Sequence, residues 1–332
     1  MKYSRAIAPA KVILFGEHFV VNGSRAIATA LDLFTSVTAA EKASWPLELE
    51  SASLGLKCVT GPELACSSRE LEPLLSTIRA LRSRGYDVPP ARLTIESDIP
   101  PSAGLGSSAS VSAATAAALT ALAGQDIGPE ELFEVTMEGE RVAHGNPSGV
   151  DAATVVYGGT IVFRRGVGVL DSLDSRVGPI VVAYSGVRRS TGAAVLSVIK
   201  SLNAVRELRD LMIGLVERLI DAAWEALRDG SLEALGNQDG SLEALGNLMN
   251  INHGLLSAIG VSTPELEELL YAARRAGALG AKLTGAGWGG SVIAVARPDA
   301  MKGVVEALSS RSGWVRVLEG GARGARAIET NP

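Results

Sequence analysis

Pro100–Ser110 reads PPSAGLGSSAS and runs directly into an alanine-rich segment that ends at Gly124. No other stretch restricts the fold as much. The two prolines end whatever element precedes them, and glycine loses more backbone freedom on ordering than any other residue. A loop that fixes Gly104 and Gly106 in place is therefore costly, and a bare connection has no use for it. A glycine loop opening onto a helix N-terminus presents free backbone N–H groups and the positive end of the helix dipole. Together they cradle an anion such as phosphate. A tight helix-packing turn would use the same glycines, so the loop alone leaves both uses open.

Other phosphate templates fit less well. A Walker loop needs Lys-Ser/Thr after its last glycine, and none follows Gly106. The dinucleotide pattern G-x-G-x-x-G/A is formally met by Gly104, Gly106 and Ala109, with Asp126 downstream. That acid must end a strand, however, and residues 109–123 leave no room for one after a helix. Gly285, Gly287 and Gly290 match the same spacing, but the residues after them read as a strand.

Around the loop the chain alternates strand and helix patterns. AIAPAKVILFGEHFVVNG (6–23) reads as two strands interrupted near Gly16. IATALDLFTSVTAAE, LELES, LKCVT, ARLTIES and GTIVFRR read as further strands. Helical spacing is expected over 72–85, 109–124, 129–145, about 191–230 and 241–258, and again from Pro264. Gly178-Pro179 punctuates the chain. The expectation is an α+β fold of two domains, 1–178 and 179–332. One decapeptide, DGSLEALGNQ at 229–238, is followed by DGSLEALGNL at 239–248. Ten residues within a helix would turn its apolar face by roughly 80°, so one copy is expected in the loop between helices.

Composition bounds the partners. A net charge of -5 argues against a nucleic-acid binder, which needs a basic face. Lys11 and Glu17 break the first apolar run, making it a poor signal peptide, and no run reaches membrane-spanning length. A cytoplasmic protein with no membrane partner is expected. Cys58 and Cys66 are too few for a disulfide framework or a four-thiolate metal site and are expected as two ordinary thiols. Glu140 and His144 are four apart on one expected helix, but no third transition-metal ligand stands near them.

Three separated motifs, PAKVILFGEHFVV (9–21), PPSAGLGSSAS and KLTGAGWGG (282–290), together resemble the GHMP kinase family in order and spacing over nearly the whole chain. Lys11 with Glu17-His18, HGNPSGVDAA (144–153), SGVRRSTG (185–192) and NHGLLSAIGVSTPELE (252–267) are similar to the branch that phosphorylates mevalonate. The repeat just before that last segment departs from the family pattern.

The resemblance implies a cleft between two domains, with ATP and Mg²⁺, and mevalonate as the small-molecule substrate. Other kinases of the family, or a lyase that decarboxylates diphosphomevalonate, are the alternatives. By analogy a homodimer is compatible with this family. Asp151 is expected in a glycine-rich turn, and the resemblance makes it the catalytic carboxylate and Lys11 the catalytic cation. It assigns Pro101, Ser102, Ala103, Gly104, Leu105, Gly106, Ser107 and Ser108 to the nucleotide, and Ser108 with Glu140 to Mg²⁺. Glu17, His18, Arg189, Ser190, Thr191, Gly285 and Gly287 match substrate-pocket positions. Arg189 or Arg188 could pair with a carboxylate through its planar fork.

Overall fold

The computed structural model describes residues 2–187, 191–229 and 239–331. Its first strand, β1 (Tyr3–Phe15), pairs antiparallel with the seventeen-residue β2 (Arg25–Glu41). The length of β2 follows from its β-branched, alternating sequence, and it organises the sheet around it. Its outer half pairs with β5 (Ala91–Ser97), and its first residues pair with β6 (Thr160–Arg164). Beyond β5 lie β3 (Leu47–Ser51), parallel to it, and β4 (Leu56–Thr60). β7 (Gly168–Leu173) pairs with β6.

The sheet continues into the second half of the chain through β11 (Trp314–Gly320), β8 (Val177–Tyr184), β10 (Ser291–Ala296) and β9 (Ala278–Thr284). The last strand, β12 (Arg326–Asn331), returns to β1. Gly178-Pro179 falls inside β8.

Helices cover this sheet. α1 (Glu72–Ser83) has an apolar stripe of Leu74, Leu75, Ile78 and Leu81. The alanine-rich α2 (Ser107–Leu122) is buried almost all round, packing on β1, β2, α1 and α3 (Pro129–His144). Small side chains let it lie that close, as expected of a helix with no polar face. α4 (Val150–Tyr157) follows. The second half contributes α5 (Thr191–Ala204), α6 (Arg206–Asp229), α7 (Asp239–Ala258), α8 (Pro264–Arg275) and α9 (Pro298–Ser309). α7 crosses β9 closely: a Cβ on Gly246 would stand 2.7 Å from the carbonyl carbon of Leu279. No helix among the described residues is long and apolar enough to cross a membrane.

Four local expectations are corrected. The stretch after Gly16 is not a second strand: Gly16 (φ 92°) and His18 (φ 63°) turn the chain out of the β direction, and Phe19–Asn22 forms a 3-10 turn. Asp151 sits in the first turn of a helix rather than in a glycine turn. The helical run from 191 is broken at Val205 into α5 and α6. Cys58 and Cys66 are not separate thiols but a disulfide. Cys58 faces inward from β4, and a turn closed by Leu64 N–H to the Gly61 carbonyl (3.1 Å) brings the chain back to it. The second decapeptide copy lies within α7, whereas 230–238 falls outside the described residues.

Candidate active site

β1 carries Lys11 into the middle of the fold, where it is 1% exposed. Its backbone N–H donates to the carbonyl of Leu105 (2.9 Å), which ties the glycine loop to β1. Its aliphatic stem passes Gly106 so closely that a Cβ there would stand 2.8 Å from Lys11 Cγ. Gly106 also has φ 76°, so glycine is required twice over at this position. The Lys11 ammonium ends 2.7 Å from Oδ1 of Asp151. Asp151 is the second residue of α4, where a carboxylate is favoured by the helix dipole.

Two helix N-termini open on the same space. In α2 the first intrahelical bond runs from the Ser110 N–H to the Gly106 carbonyl (2.9 Å), so Ser107, Ser108 and Ala109 keep their N–H groups ahead of it. In α4 the first bond runs from Ala153 to Gly149 (2.9 Å). Between them the end of α3 brings Glu140 and His144. Glu140 is 2% exposed, and its Oε1 has no hydrogen-bond partner. Burial pushes the Glu140 carboxyl up from the usual range; the charge of His144 opposes this and that of Asp151 adds to it. His144 Nε2 lies 3.3 Å from Ser108 Oγ and 3.8 Å from Glu140 Oε2. Among the described residues no cluster of three His, Cys, Asp or Glu side chains is placed to hold a metal.

These groups line one cavity of about 870 Å³. Of the residues expected from sequence, it collects Lys11, Glu17, His18, Pro101, Ser102, Gly104, Gly106, Ser107, Ser108, Glu140, Asp151 and Gly285. Ala103 and Leu105 instead turn into the core and anchor the loop from beneath. Gly287 packs on Val261, whose carbonyl oxygen would lie 2.2 Å from a Cβ there. Thr191 begins α5, and Arg188, Arg189 and Ser190 lie outside the described residues.

The cavity also has walls that motif reading missed. Leu71, Leu74, Ile95 and Val111 form an apolar surface, and Val195, Leu196 and Ile199 reach it from α5. Each reads in sequence as an ordinary apolar helix or strand position, so no local signal sets them apart. His144 was visible as the helical neighbour of Glu140, but not its approach to Ser108.

A buried ammonium paired with a partly exposed carboxylate, beside two helix N-termini and an acid with one unpartnered oxygen, can hold an alcohol, accept its proton and neutralise a polyphosphate. Comparisons with known proteins bear on the family. The model of the GHMP kinases N terminal domain matches residues 73–159, and that of the GHMP kinases C terminal region matches 231–313. The chain is 40% identical over 328 residues to a mevalonate kinase of Aeropyrum pernix, covering 96% of this chain and 98% of that one. It is 37% identical over 351 residues to a mevalonate kinase of Pyrococcus horikoshii, covering 100% and 99%. The crystal structure of L. major mevalonate kinase in complex with R-mevalonate superposes with a TM-score of 0.77 at 29% identity, covering 95% of each chain.

Proposed function

This chain belongs to the GHMP kinase family, and from that premise we propose that it transfers the γ-phosphoryl group of ATP to the C5 hydroxyl of (R)-mevalonate. The observation that carries the reading is the 2.7 Å contact of Lys11 with Asp151, set between the N-termini of α2 and α4. Asp151 accepts the hydroxyl proton or orients the hydroxyl, while Lys11 offsets the negative charge that grows on its oxygen. Phosphoryl transfer needs little more from a protein than such positioning and charge neutralisation.

The loop from Pro101 to Gly106 and the first turn of α2 hold the phosphates. Leu71, Leu74, Ile95 and Val111 suit the flat face of a nucleobase. Arg189 or Arg188 pairs with the substrate carboxylate. The halves 1–178 and 179–332 act as two domains, and the cavity takes Lys11 to Asp151 from the first and Gly192 to Ala286 from the second.

The residues fit Mg²⁺. Glu140 is a buried acid with one oxygen unpartnered, and the Ser108 hydroxyl hydrogen-bonds to it; a hard cation with few protein ligands takes such a set. Bound there with the nucleotide, Mg²⁺ would supply charge neutralisation at the phosphate oxygens.

The test is ADP release with mevalonate, phosphomevalonate, galactose and homoserine in parallel, with phosphorus NMR of the product. Turnover of mevalonate with phosphate on the C5 oxygen is expected. Phosphate on any other oxygen, or preference for another acceptor, would overturn the reading.

A further inference from the structure

Glu17 and Lys282 form an ion pair at the centre of the molecule, with exposures of 1% and 0%. Lys282 stands in β9 and Glu17 in the turn after β1, strands that are not hydrogen-bond partners in the sheet. The pair has further ties. Asn252 of α7 donates from Nδ2 to Glu17 Oε2 (3.1 Å), while Lys282 takes Oε1. Lys282 Nζ also donates to the carbonyls of Leu283 (2.8 Å) and Ile13 (3.5 Å). Next to it, Thr284 Oγ1 bonds the Ile13 N–H and the Ile13 carbonyl, each at 3.0 Å. Both carboxylate oxygens of Glu17 are thus engaged inside the protein.

What this network holds is a strained turn. Gly16 (φ 92°) is pressed on β2, where a Cβ would stand 2.4 Å from the Arg25 carbonyl. His18 has φ 63° with ψ −43°, a sparsely populated conformation that non-glycine residues keep only when their surroundings over-determine it. His18 Nε2 donates to the Ala286 carbonyl (3.0 Å). His18 and Ala286 both line the cavity that also holds Lys11 and Asp151.

We infer that Lys282 and Asn252 are positioning residues: by engaging both oxygens of Glu17 they hold the Gly16–His18 turn in the conformation that presents His18 to the alcohol substrate. Glu17 then acts through the turn rather than by touching substrate. The kinetic part of this inference rests on the mevalonate reading above. A buried ion pair is weak support for stability, since apolar replacement of both partners is often neutral whereas removal of one leaves a buried charge. That asymmetry separates a positioning role from a structural one.

The experiment compares Lys282→Met, Asn252→Ala and the double variant Glu17→Leu/Lys282→Met with the wild type. Melting temperature, KM for mevalonate and for ATP, and the imidazole NMR signals are followed. The chain has only three histidines, so the His18 ring can be assigned. Lys282→Met is expected to lose stability. The double variant should regain the wild-type melting temperature yet keep a displaced His18 signal. Its KM for mevalonate should be raised about tenfold or more, with KM for ATP within about twofold. Asn252→Ala should show the same split more weakly.

A double variant with wild-type mevalonate KM and an unmoved His18 signal would overturn the proposal. So would a double variant that does not fold, because the pair would then be a requirement of the fold itself. An unmoved His18 signal in Asn252→Ala would remove Asn252 from the assignment. If the wild-type enzyme does not accept mevalonate while the His18 signal still moves, the substrate reading fails and the positioning role stands.

Discussion

Lys11 and Asp151 meet at 2.7 Å although they are far apart in sequence and come from a strand and a helix start. The side chain of Lys11 is 2% exposed and that of Asp151 30%, so the carboxylate is the member of the pair that faces arriving substrate. Asp151→Asn keeps the shape of that side chain and removes its capacity to take a proton. With a general-base role worth about 10²–10⁴-fold, kcat should fall by at least about a hundredfold. KM for mevalonate should change little, because an amide can still hold the hydroxyl. Steady-state kinetics with the variant check this, and a loss under about tenfold would mean that Asp151 is not the base.

Ser108→Ala and Glu140→Gln bear on the cation. On the proposed assignment, loss of the Ser108 hydroxyl or of the Glu140 charge should raise the Mg²⁺ concentration needed for half-maximal rate, by about tenfold or more for Glu140→Gln. Mevalonate binding measured by calorimetry without nucleotide should stay near wild type. Wild-type kcat at limiting Mg²⁺ in both variants would contradict the metal assignment.

Gly106→Ala should damage the site through Lys11. The added Cβ would sit 2.8 Å from Lys11 Cγ at a residue with φ 76°. Either the loop or the lysine must move. The strain is of order 1–3 kcal/mol, and kcat should fall more than about tenfold while the protein still folds. Thermal melting and kinetics on the same preparation separate the two effects.

The glycine loop that lines the cavity was legible because a loop of this kind leaves a local signature. Glycines stand where the backbone must turn left-handed or let a side chain pass, and serines follow at a helix start. The seventeen residues of β2 were legible for a similar reason, since alternation is a local property. What stayed hidden depends on partners distant in sequence. Nothing local to Glu17 shows that Lys282, 265 residues away, takes one of its oxygens. The strand expected after Gly16 failed because the apolar run FVVN suits a strand by composition. Two positive φ angles at Gly16 and His18 set its direction instead. The cavity walls from α1 and α5 carry no mark beyond hydrophobicity.

His253 should make stability pH-dependent on the acid side. It is 4% exposed, and its Nε2 donates to Glu267 Oε1 (3.1 Å). Burial pushes its pKa down from 6.5, and the Glu267 charge only partly opposes this. Above about pH 6.5 the ring is neutral in both states and the folded protein keeps its full stability. As pH falls below that value the unfolded chain binds a proton that the folded one resists. Stability therefore drops until the folded pKa is reached. The melting temperature should decline from pH 7 towards pH 5, and His253→Gln should flatten that part of the profile. An unchanged profile in the variant would assign the decline to other groups.

The repeated decapeptide gives the last prediction. Its second copy is built into α7: Leu245 lies in the core, and Gly246 packs against Gly280, where a Cβ on Gly280 would stand 2.4 Å from the Gly246 carbonyl oxygen. Removing 239–248 takes out residues of a packed helix. The first copy, however, carries the same residues in the same order apart from Gln238, which corresponds to Leu248. After the deletion, DGSLEALGNQ joins Met249 directly. Every side chain of the lost segment is then restored except that Gln238 takes the place of Leu248. Leu248 is only partly buried against the core, so that exchange should cost about 1 kcal/mol or less. The shortened chain should fold, melt within a few degrees of wild type and keep its kcat, because among the described residues none of the cavity-lining ones falls in the second copy. Circular dichroism melting and the mevalonate assay check this. A deletion variant that fails to fold would show that the two copies are not interchangeable, and that the first has a structural part of its own.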